Sequence, residues 1–427
     1  MALRSHVPLL PIVVYNDGLG RWRLVFHPPV QSGEKRPTAE GLTAALNIEV
    51  EKIIRRAPEN WFWVHDRWKT PDPDFLLSGY RRGIRYAEGY DLKQLQPFRV
   101  LLRSPNWLGD ACMVLPAVRA LKAGRPDLSI TVLAPDKLGD FWSSMPEVAG
   151  VILKQGKEGI GSVARRIREA GPFDAAILLT NSTRSTLEIW WAGVPRLVGY
   201  RGSLRSWFLH QVVREPKPGR PPEHHAQRYL RIIERCGGAV DPALLAETAP
   251  PSEGAESWRI ALCAGAEYGR AKRWPLERYA EAARKVSESL PEVEWLLVGA
   301  PKEKPMGLEL SAVLGSVRHR NVVGQTSLPE LMALLKSCRL LLTNDTGTMH
   351  LAAALGVPTL SIFGSTEPVL TGPLGSKHII LRHHVPCSPC FQRECPFGHY
   401  DCMTGISPER VANEVLRALG PPAPVED

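Results

Sequence analysis

The sequence predicts an α/β protein built from two doubly wound, Rossmann-like parallel domains in tandem, behind a small N-terminal α+β extension. Three observations predict it. A chain of 427 residues is longer than one hydrophobic core serves. The apolar strand Phe98–Arg103 passes through a glycine-bearing turn, 104–110, into the helical stretch 111–122, which is the opening unit of a doubly wound sheet. From 258 to 419, short apolar strands alternate with helix-length runs, the pattern of a second parallel sheet.

Residues 1–70 stand apart from that pattern. Residues 12–15 and 22–26 read as two strands around the turn Asn16-Asp17-Gly18. Residues 43–56 read as an amphipathic helix with Leu46, Val50, Ile53 and Ile54 on one face. The segment ends Pro58-Glu59-Asn60-Trp61-Phe62-Trp63-Val64-His65-Asp66-Arg67-Trp68-Lys69. That ending resembles the C-terminal end of the lipid A lauroyl/myristoyl acyltransferases. The His-x-x-x-x-Asp pair of those enzymes is missing, so the resemblance implies an acyltransferase end without its catalytic part. Its three tryptophans, with Arg67 and Lys69, would suit either a membrane interface or packing on the neighbouring domain.

A linker is expected at 71–96, opened by Thr70-Pro71-Asp72-Pro73-Asp74. The first Rossmann-like domain then spans 97–248, with further strands at 130–134 and 175–179, a basic helix at 160–170 and another helix at 225–236. Residues 216–222 are rich in Pro and Gly, and 249–256 read as the interdomain linker. The second domain spans 256–420, with strands at 260–263, 295–298, 322–323, 340–343, 359–363 and 379–381. A closing helix begins at Ser407-Pro408, a capping residue followed by a proline suited to the first turn.

Composition narrows the function classes. Apolar content of 44% and charged content of 23% are those of a globular protein. A net charge of +9 favours an acidic partner: nucleic acid, an anionic membrane or a phosphorylated glycolipid. No RNA-recognition signature and no long Lys/Arg run is present, so nucleic acid is not expected as a partner. No stretch of about 18 apolar residues exists to form a transmembrane helix. Pro8 and Pro11 interrupt the apolar start, so no signal peptide is expected there. A cytoplasmic location follows, with the eight cysteines reduced rather than paired in disulfides.

Two stretches carry the chemistry. Thr343-Asn344-Asp345-Thr346-Gly347-Thr348-Met349-His350 joins the strand Leu340-Leu341-Leu342 to an alanine-rich helix. Such a turn exposes unpaired N–H groups and the positive end of a helix dipole, which suits a diphosphate; plain helix capping by Asp345 is the alternative. Cys263-Ala264-Gly265-Ala266-Glu267-Tyr268-Gly269-Arg270-Ala271-Lys272-Arg273-Trp274-Pro275 follows another strand and brings Lys and Arg to the same crevice. Asp110, in the turn after Phe98–Arg103, is the best general base, with N-capping as its alternative.

The Gly-Ala-Glu-Tyr-Gly…Ala-Lys-Arg-Trp-Pro and Asn-Asp-Thr-Gly-x-Met-His segments resemble the ADP-heptose:lipopolysaccharide heptosyltransferases, glycosyltransferase family nine, most closely their heptosyltransferase II branch. The resemblance covers about 98–419, three quarters of the chain. It implies the GT-B architecture, with the active site in the cleft between the two domains. It implies inverting transfer of L-glycero-D-manno-heptose from ADP-heptose to the lipopolysaccharide inner core, at the cytoplasmic face of the inner membrane. The acceptor would be a phosphorylated, Kdo-bearing lipid A species, reached by peripheral membrane contact. Asp110 matches the family's base, and Lys272 its phosphate-contacting lysine. Gly265, Ala266, Glu303, Asp345, Thr346, Gly347 and His350 match the donor site, with Glu303 near the nucleoside. Asn181, Ser182, Arg184 and Arg201 match the acceptor-side loops, and Arg205 is a further basic candidate. No cofactor is required for catalysis, since no Asp-x-Asp metal motif stands at a strand end. Two rivals stay open: another nucleotide sugar or acceptor on the same scaffold, and a non-catalytic membrane-associated scaffold.

The cysteine-rich loop 387–402 is the remaining motif. Cys387, Cys390, Cys395 and Cys402 form Cys-x2-Cys-x4-Cys-x6-Cys, a density that suggests structural zinc or an iron–sulfur cluster in a reducing compartment. Free or redox-active thiols are the alternative. Cys112, Cys236, Cys263 and Cys338 fall on apolar positions and are expected in the core.

Overall fold

The computed structural model describes residues 7–60 other than 19, 35 and 36, residues 97–245 other than 126, 203 and 217–220, and residues 258–420. The tail at 61–69, the linkers at 71–96 and 249–256, and the centre of the 216–222 stretch lie outside the described residues. The chain divides into two compact units, 1–71 and 72–427.

In the first unit, β1 (Ile12–Asn16) pairs antiparallel with β2 (Trp22–Phe26), with Ile12 opposite Phe26. Asn16 Oδ1 accepts from Gly18 N (2.9 Å), closing the turn. α1 (Ala39–Arg56) starts four residues earlier than the periodicity indicated, because Thr38 caps it by accepting from Gly41 N.

The second unit holds two six-stranded parallel sheets. The first is built from β3 (Phe98–Arg103), β4 (Leu128–Pro135), β5 (Gly150–Lys154), β6 (Ala175–Leu178), β7 (Leu197–Tyr200) and β8 (Gln211–Val213). Helices α2 (Leu108–Gly124), α3 (Ile160–Ala170), α4 (Thr183–Trp190) and α5 (His225–Arg235) cover it. The second comprises β9 (Arg259–Cys263), β10 (Glu294–Leu297), β11 (His319–Asn321), β12 (Leu340–Asn344), β13 (Thr359–Phe363) and β14 (His378–Arg382). Its longer helices are α6 (Leu276–Ser289), α7 (Lys304–Leu314), α8 (Leu328–Lys336), α9 (Gly347–Ala354) and α10 (Pro408–Leu419). No helix among the described residues is long and apolar enough to cross a membrane.

The strand orders are β5-β4-β3-β6-β7-β8 and β11-β10-β9-β12-β13-β14. In each sheet the first strand is central and the fourth lies beside it, the Rossmann order, so the chain reverses its winding between them. Crevices therefore open at the carboxyl ends of the pairs β3/β6 and β9/β12. Both faces of each sheet are covered, which is why the central strands read as unbroken apolar runs; all of β12 and β13 is buried. One hydrophobic cluster runs from Val100 and Val114 of the first domain to Leu351 and Ala352 of α9, so the domains share a packed seam.

The strand at 319–321 lies just before the apolar pair Val322-Val323 that marked it in sequence. His319, Arg320 and Asn321 pair with β10 at the sheet's edge, and the two valines drop into the core beyond. An edge strand hydrogen-bonds on one side only, so burial does not dictate its composition. β5, β7 and β8 are short strands that periodicity did not mark.

One buried side chain ties the second domain's loops together. Asn344, with no exposed surface, accepts at Oδ1 from Trp274 N (3.0 Å) and Tyr279 Oη (2.8 Å), and its Nδ2 donates to the Ala264 carbonyl (2.8 Å). The ends of β9 and β12 and the start of α6 are thereby fixed to one another. Asn344→Ala would leave those three buried groups without partners, a cost of roughly 3 kcal/mol or more. Urea unfolding should show a lower midpoint at unchanged slope; an unchanged midpoint would mean that Asn344 does not hold these loops.

Candidate active site

The loops after β9 and β12 form one side of the interdomain crevice. Lys272 Nζ donates to Asp345 Oδ2 at 2.5 Å, and Thr366 Oγ1 donates to the same oxygen at 2.7 Å. The ammonium also lies 4.8 Å from the centre of the Tyr268 ring. Asp345 is thus the partner that orients Lys272, and it does not cap the helix. Thr346 does that, its hydroxyl accepting from Met349 N. A carboxylate at a helix's positive end would repel a phosphate on its own. Paired with Lys272, it holds the cation at the mouth of the crevice.

Gly265 and Glu303 are in contact. A Cβ at Gly265 would fall 2.2 Å from Glu303 Oε1, so the position admits only glycine while the carboxylate lies there. Glu303 is nearly buried and accepts from Ala300 N at 2.8 Å, which turns its other oxygen toward the Gly265-Ala266 backbone.

On the opposite side, the loop after β3 is pinned by Trp142 Nε1 donating to Ser104 Oγ (2.8 Å) and Arg103 Nη2 donating to Asn106 Oδ1 (3.1 Å). α2 starts at Leu108, with Trp107 at the N-cap position and no side-chain cap bond, so Asp110 lies inside the first turn and is not the cap. Burial pushes its carboxyl above the usual carboxylate range, while the charges of His225 and Lys272 pull it back. Lys272 belongs to the other domain. His225 was not singled out by sequence. It stacks on Tyr229 at 5.3 Å, and burial lowers its pKa while the charge of Asp110 works the other way.

α2 and α9 meet at their N-termini. A Cβ on Gly109 would come 2.9 Å from His350 Cδ2 and 3.6 Å from Gly347 Cα, and a Cβ on Gly347 would be 3.5 Å from Gly109 N. Asp110, Gly347 and His350 therefore belong to one cleft. Burial lowers the His350 pKa to about 4 despite the opposing charge of Asp345, so the imidazole is neutral at pH 7.

The acceptor-side residues lie at the carboxyl ends of β6 and β7, on the same rim as Asp110. Asn181 Oδ1 accepts from Arg205 Nη1 (3.3 Å), and Ser182 caps α4, its hydroxyl accepting from Ser185 N. Arg184 is exposed, and its Nε donates to Glu188 Oε1 at 3.3 Å. Arg201 is exposed beside them. Arg205, expected on this rim, is fully buried: Nη1 donates to the Thr180 carbonyl at 2.6 Å, and Gly199 and Gly202 make room for the chain. It is a structural residue of the β6–β7 junction.

Cys387, Cys390, Cys395 and Cys402 line one small cavity with His399. Against the upward push of burial, backbone N–H groups of residues 397–400 hold the Cys395 thiol below its usual pKa, while burial and its three neighbours push Cys402 up to about 11. Among the described residues, no three His, Cys, Asp or Glu side chains converge as a ligand set. No catalytic step is routed through the expected zinc or iron–sulfur group. The loop also makes a contact. Tyr268 Oη donates to the Phe391 carbonyl (2.7 Å) and Ala271 N to the Arg393 carbonyl (2.9 Å), which grips the loop carrying Lys272. The other four cysteines are buried, as expected of core positions.

Comparison with known proteins gives two family matches: glycosyltransferase family 9 (heptosyltransferase) over 160–401, and bacterial lipid A biosynthesis acyltransferase over 1–70. The chain is 32% identical over 345 residues to lipopolysaccharide heptosyltransferase 2 of Escherichia coli K12, covering 75% of this chain and 98% of that protein. It is 32% identical over 311 residues to lipooligosaccharide heptosyltransferase 2 of Haemophilus influenzae, covering 66% and 88%. The solved structure of E. coli ADP-heptose lps heptosyltransferase II superposes with a TM-score of 0.65 at 30% identity, covering 75% of this chain and 98% of that one.

The depressed His350 pKa gives a pH-dependent stability. The group takes up protons more readily unfolded, so its stabilising contribution is complete above the ordinary histidine pKa of 6.5 and is lost as pH falls toward 4. Between pH 7 and pH 5 the wild type should lose about 2 kcal/mol more than His350→Gln. Parallel pH profiles in urea unfolding would rule out burial of a neutral imidazole.

Proposed function

The chain belongs to glycosyltransferase family 9, the heptosyltransferases, and from that premise we propose that it moves L-glycero-D-manno-heptose from ADP-heptose to the lipopolysaccharide inner core. The observation that carries the reading is the meeting of α2 and α9 at Gly109 and Gly347. It supports a single cleft bearing a carboxylate on one side and a cationic, amide-lined turn on the other.

In this reading Asp110 removes the proton of the acceptor hydroxyl. Its raised pKa makes it a stronger base than an exposed aspartate. The new bond from acceptor oxygen to anomeric carbon forms as the bond to the β-phosphate oxygen breaks, in line and with inversion. The electron pair leaves on ADP, whose charge is met by Lys272, by the N–H groups at the start of α9 and by the neutral imidazole of His350 acting as a donor. Glu303 accepts from the ribose hydroxyls. The exposed Arg184 and Arg201, with Asn181 and Ser182, meet a phosphorylated, Kdo-bearing lipid A acceptor. The enzyme works from the cytoplasmic side, peripheral to the inner membrane. Residues 1–70 match the bacterial lipid A biosynthesis acyltransferase family and supply none of the residues assigned to the transfer step.

Asp110→Asn should lower kcat by about 10²–10⁴-fold with little change in KM for ADP-heptose, measured by product mass on a heptose-deficient lipopolysaccharide. Its stability at neutral pH should hold or rise. Folding raises the Asp110 pKa, so this group's contribution is greatest below the ordinary carboxyl pKa and is lost as pH rises through the raised value. Turnover of UDP- or GDP-sugars as fast as ADP-heptose would remove the donor assignment, and full activity in Asp110→Asn would remove the base.

A further inference from the structure

We propose that the face formed by the C-terminal end of α4 and the turn Leu204–Phe208 is a docking surface for an anionic lipid bilayer. Four large apolar side chains stand out from it: Trp190, Trp191, Leu204 and Trp207 are 48%, 60%, 60% and 83% exposed. They form one patch, because the Trp190 ring packs edge-on against Phe208 at 5.2 Å and so joins the helix end to the turn. Tryptophan is ordinarily well buried in a protein surrounded by water, and a cluster of three exposed ones marks an interaction surface.

The charge around the patch selects its occupant. Residues 160–214 contain eight arginines and no lysine against Glu169, Asp174 and Glu188, a formal +5 out of the chain's +9. Glu188 is fully buried and paired with Lys154 and Arg184, so it presents no negative charge to a partner. Arg165, Arg168, Arg196 and Arg201 are exposed, and Arg168 Nη1 donates to the Trp191 carbonyl at 2.8 Å, which sets a guanidinium beside the aromatic cluster. Glu169 and Asp174 are exposed too, Glu169 lying 3.9 Å from Arg165, but the arginines outnumber them. Tryptophans flanked by such an excess of arginines match the headgroup layer of an anionic membrane: rings at the interface, guanidinium groups on phosphates.

This inference deepens the proposed function and rests on it in one respect, that the acceptor is carried on a lipid. α4 runs from Ser182 and Arg184 on the acceptor rim to Trp190, eight residues or about 12 Å. A bilayer touching Trp190, Trp191 and Trp207 would therefore bring lipid headgroups close to the loop that meets the acceptor.

The test uses the full chain with sucrose-loaded vesicles and neither donor nor acceptor. Wild type should sediment with vesicles of equimolar phosphatidylcholine and phosphatidylglycerol but not with phosphatidylcholine alone. The double variant Trp191→Ser, Trp207→Ser should lose about tenfold in partitioning. Its turnover on a soluble, deacylated acceptor should be unchanged, which also establishes that it folds. Two results would overturn the proposal: the variant partitioning like wild type, or a wild-type dimer in sedimentation velocity that the same substitutions dissolve, which would make the face a self-association surface. Because vesicle binding is read without substrates, its failure leaves the transfer reaction standing, and a failure of transfer leaves the vesicle result standing.

Discussion

Two helix N-termini, from opposite domains, point into one space with only glycine between them. A methyl group on Gly109 would come 2.9 Å from His350 Cδ2, and one on Gly347 would already be in contact with Gly109 N at 3.5 Å. Two positive dipole ends facing each other are unfavourable unless something negative lies between them. The chain supplies one such group itself, Asp110 in the first turn of α2, and leaves room for another. Every other feature of the cleft can be understood as a response to this concentration of positive potential.

The Lys272–Asp345–Thr366 cluster is one response. A free ammonium added to two helix ends would raise the repulsion further. Sharing Asp345 Oδ2 with Thr366 keeps Lys272 at a fixed point and keeps the local sum near neutral before a ligand arrives. His350 is another. Buried against α2, it stays uncharged at neutral pH, so it offers a hydrogen bond without adding a third cation. The arrangement is preorganised for a dianion entering from solvent, and Asn344 keeps it so by fixing both strand ends to α6.

Much of this was legible in the sequence because strand-then-helix order places a loop at a known edge of a parallel sheet. α3 and β13 fall on the residues their patterns indicated, and Ser407 caps α10 by accepting from Arg410 N. Asp110, Lys272, Asp345 and His350 could be assigned to one crevice from strand ends alone. What the sequence hides is pairing across distance. Lys272 and Asp345 are 73 residues apart, and nothing local shows that one orients the other. Asn344 looked like part of a polar turn, yet it is a buried staple, since its partners come from two other elements. Arg205 failed for a similar reason: an arginine in a Gly-rich segment reads as exposed, while Gly199 and Gly202 are what let it lie buried. The tandem parallel architecture follows from periodicity, but the short strands β5, β7 and β8 do not, because so few residues carry little periodic signal.

The cysteine-rich loop does mechanical work that its motif does not announce. Four closely spaced thiols point to a metal, and the loop's backbone in addition grips a neighbouring segment. Its backbone carbonyls at Phe391 and Arg393 receive Tyr268 and Ala271, Arg270 lies over the Tyr400 ring at 5.3 Å, and a Cβ at Gly269 would fall 2.3 Å from the Arg393 oxygen. Those contacts fix residues 268–271, the segment that leads into Lys272. A lysine side chain has four rotatable bonds and loses substantial entropy when fixed, so a loop that must present one ammonium at one point needs support on both sides. Asp345 holds the ammonium and the 387–402 loop holds the backbone that leads into it, which ties the position of the donor-side cation to a segment more than a hundred residues further along the chain.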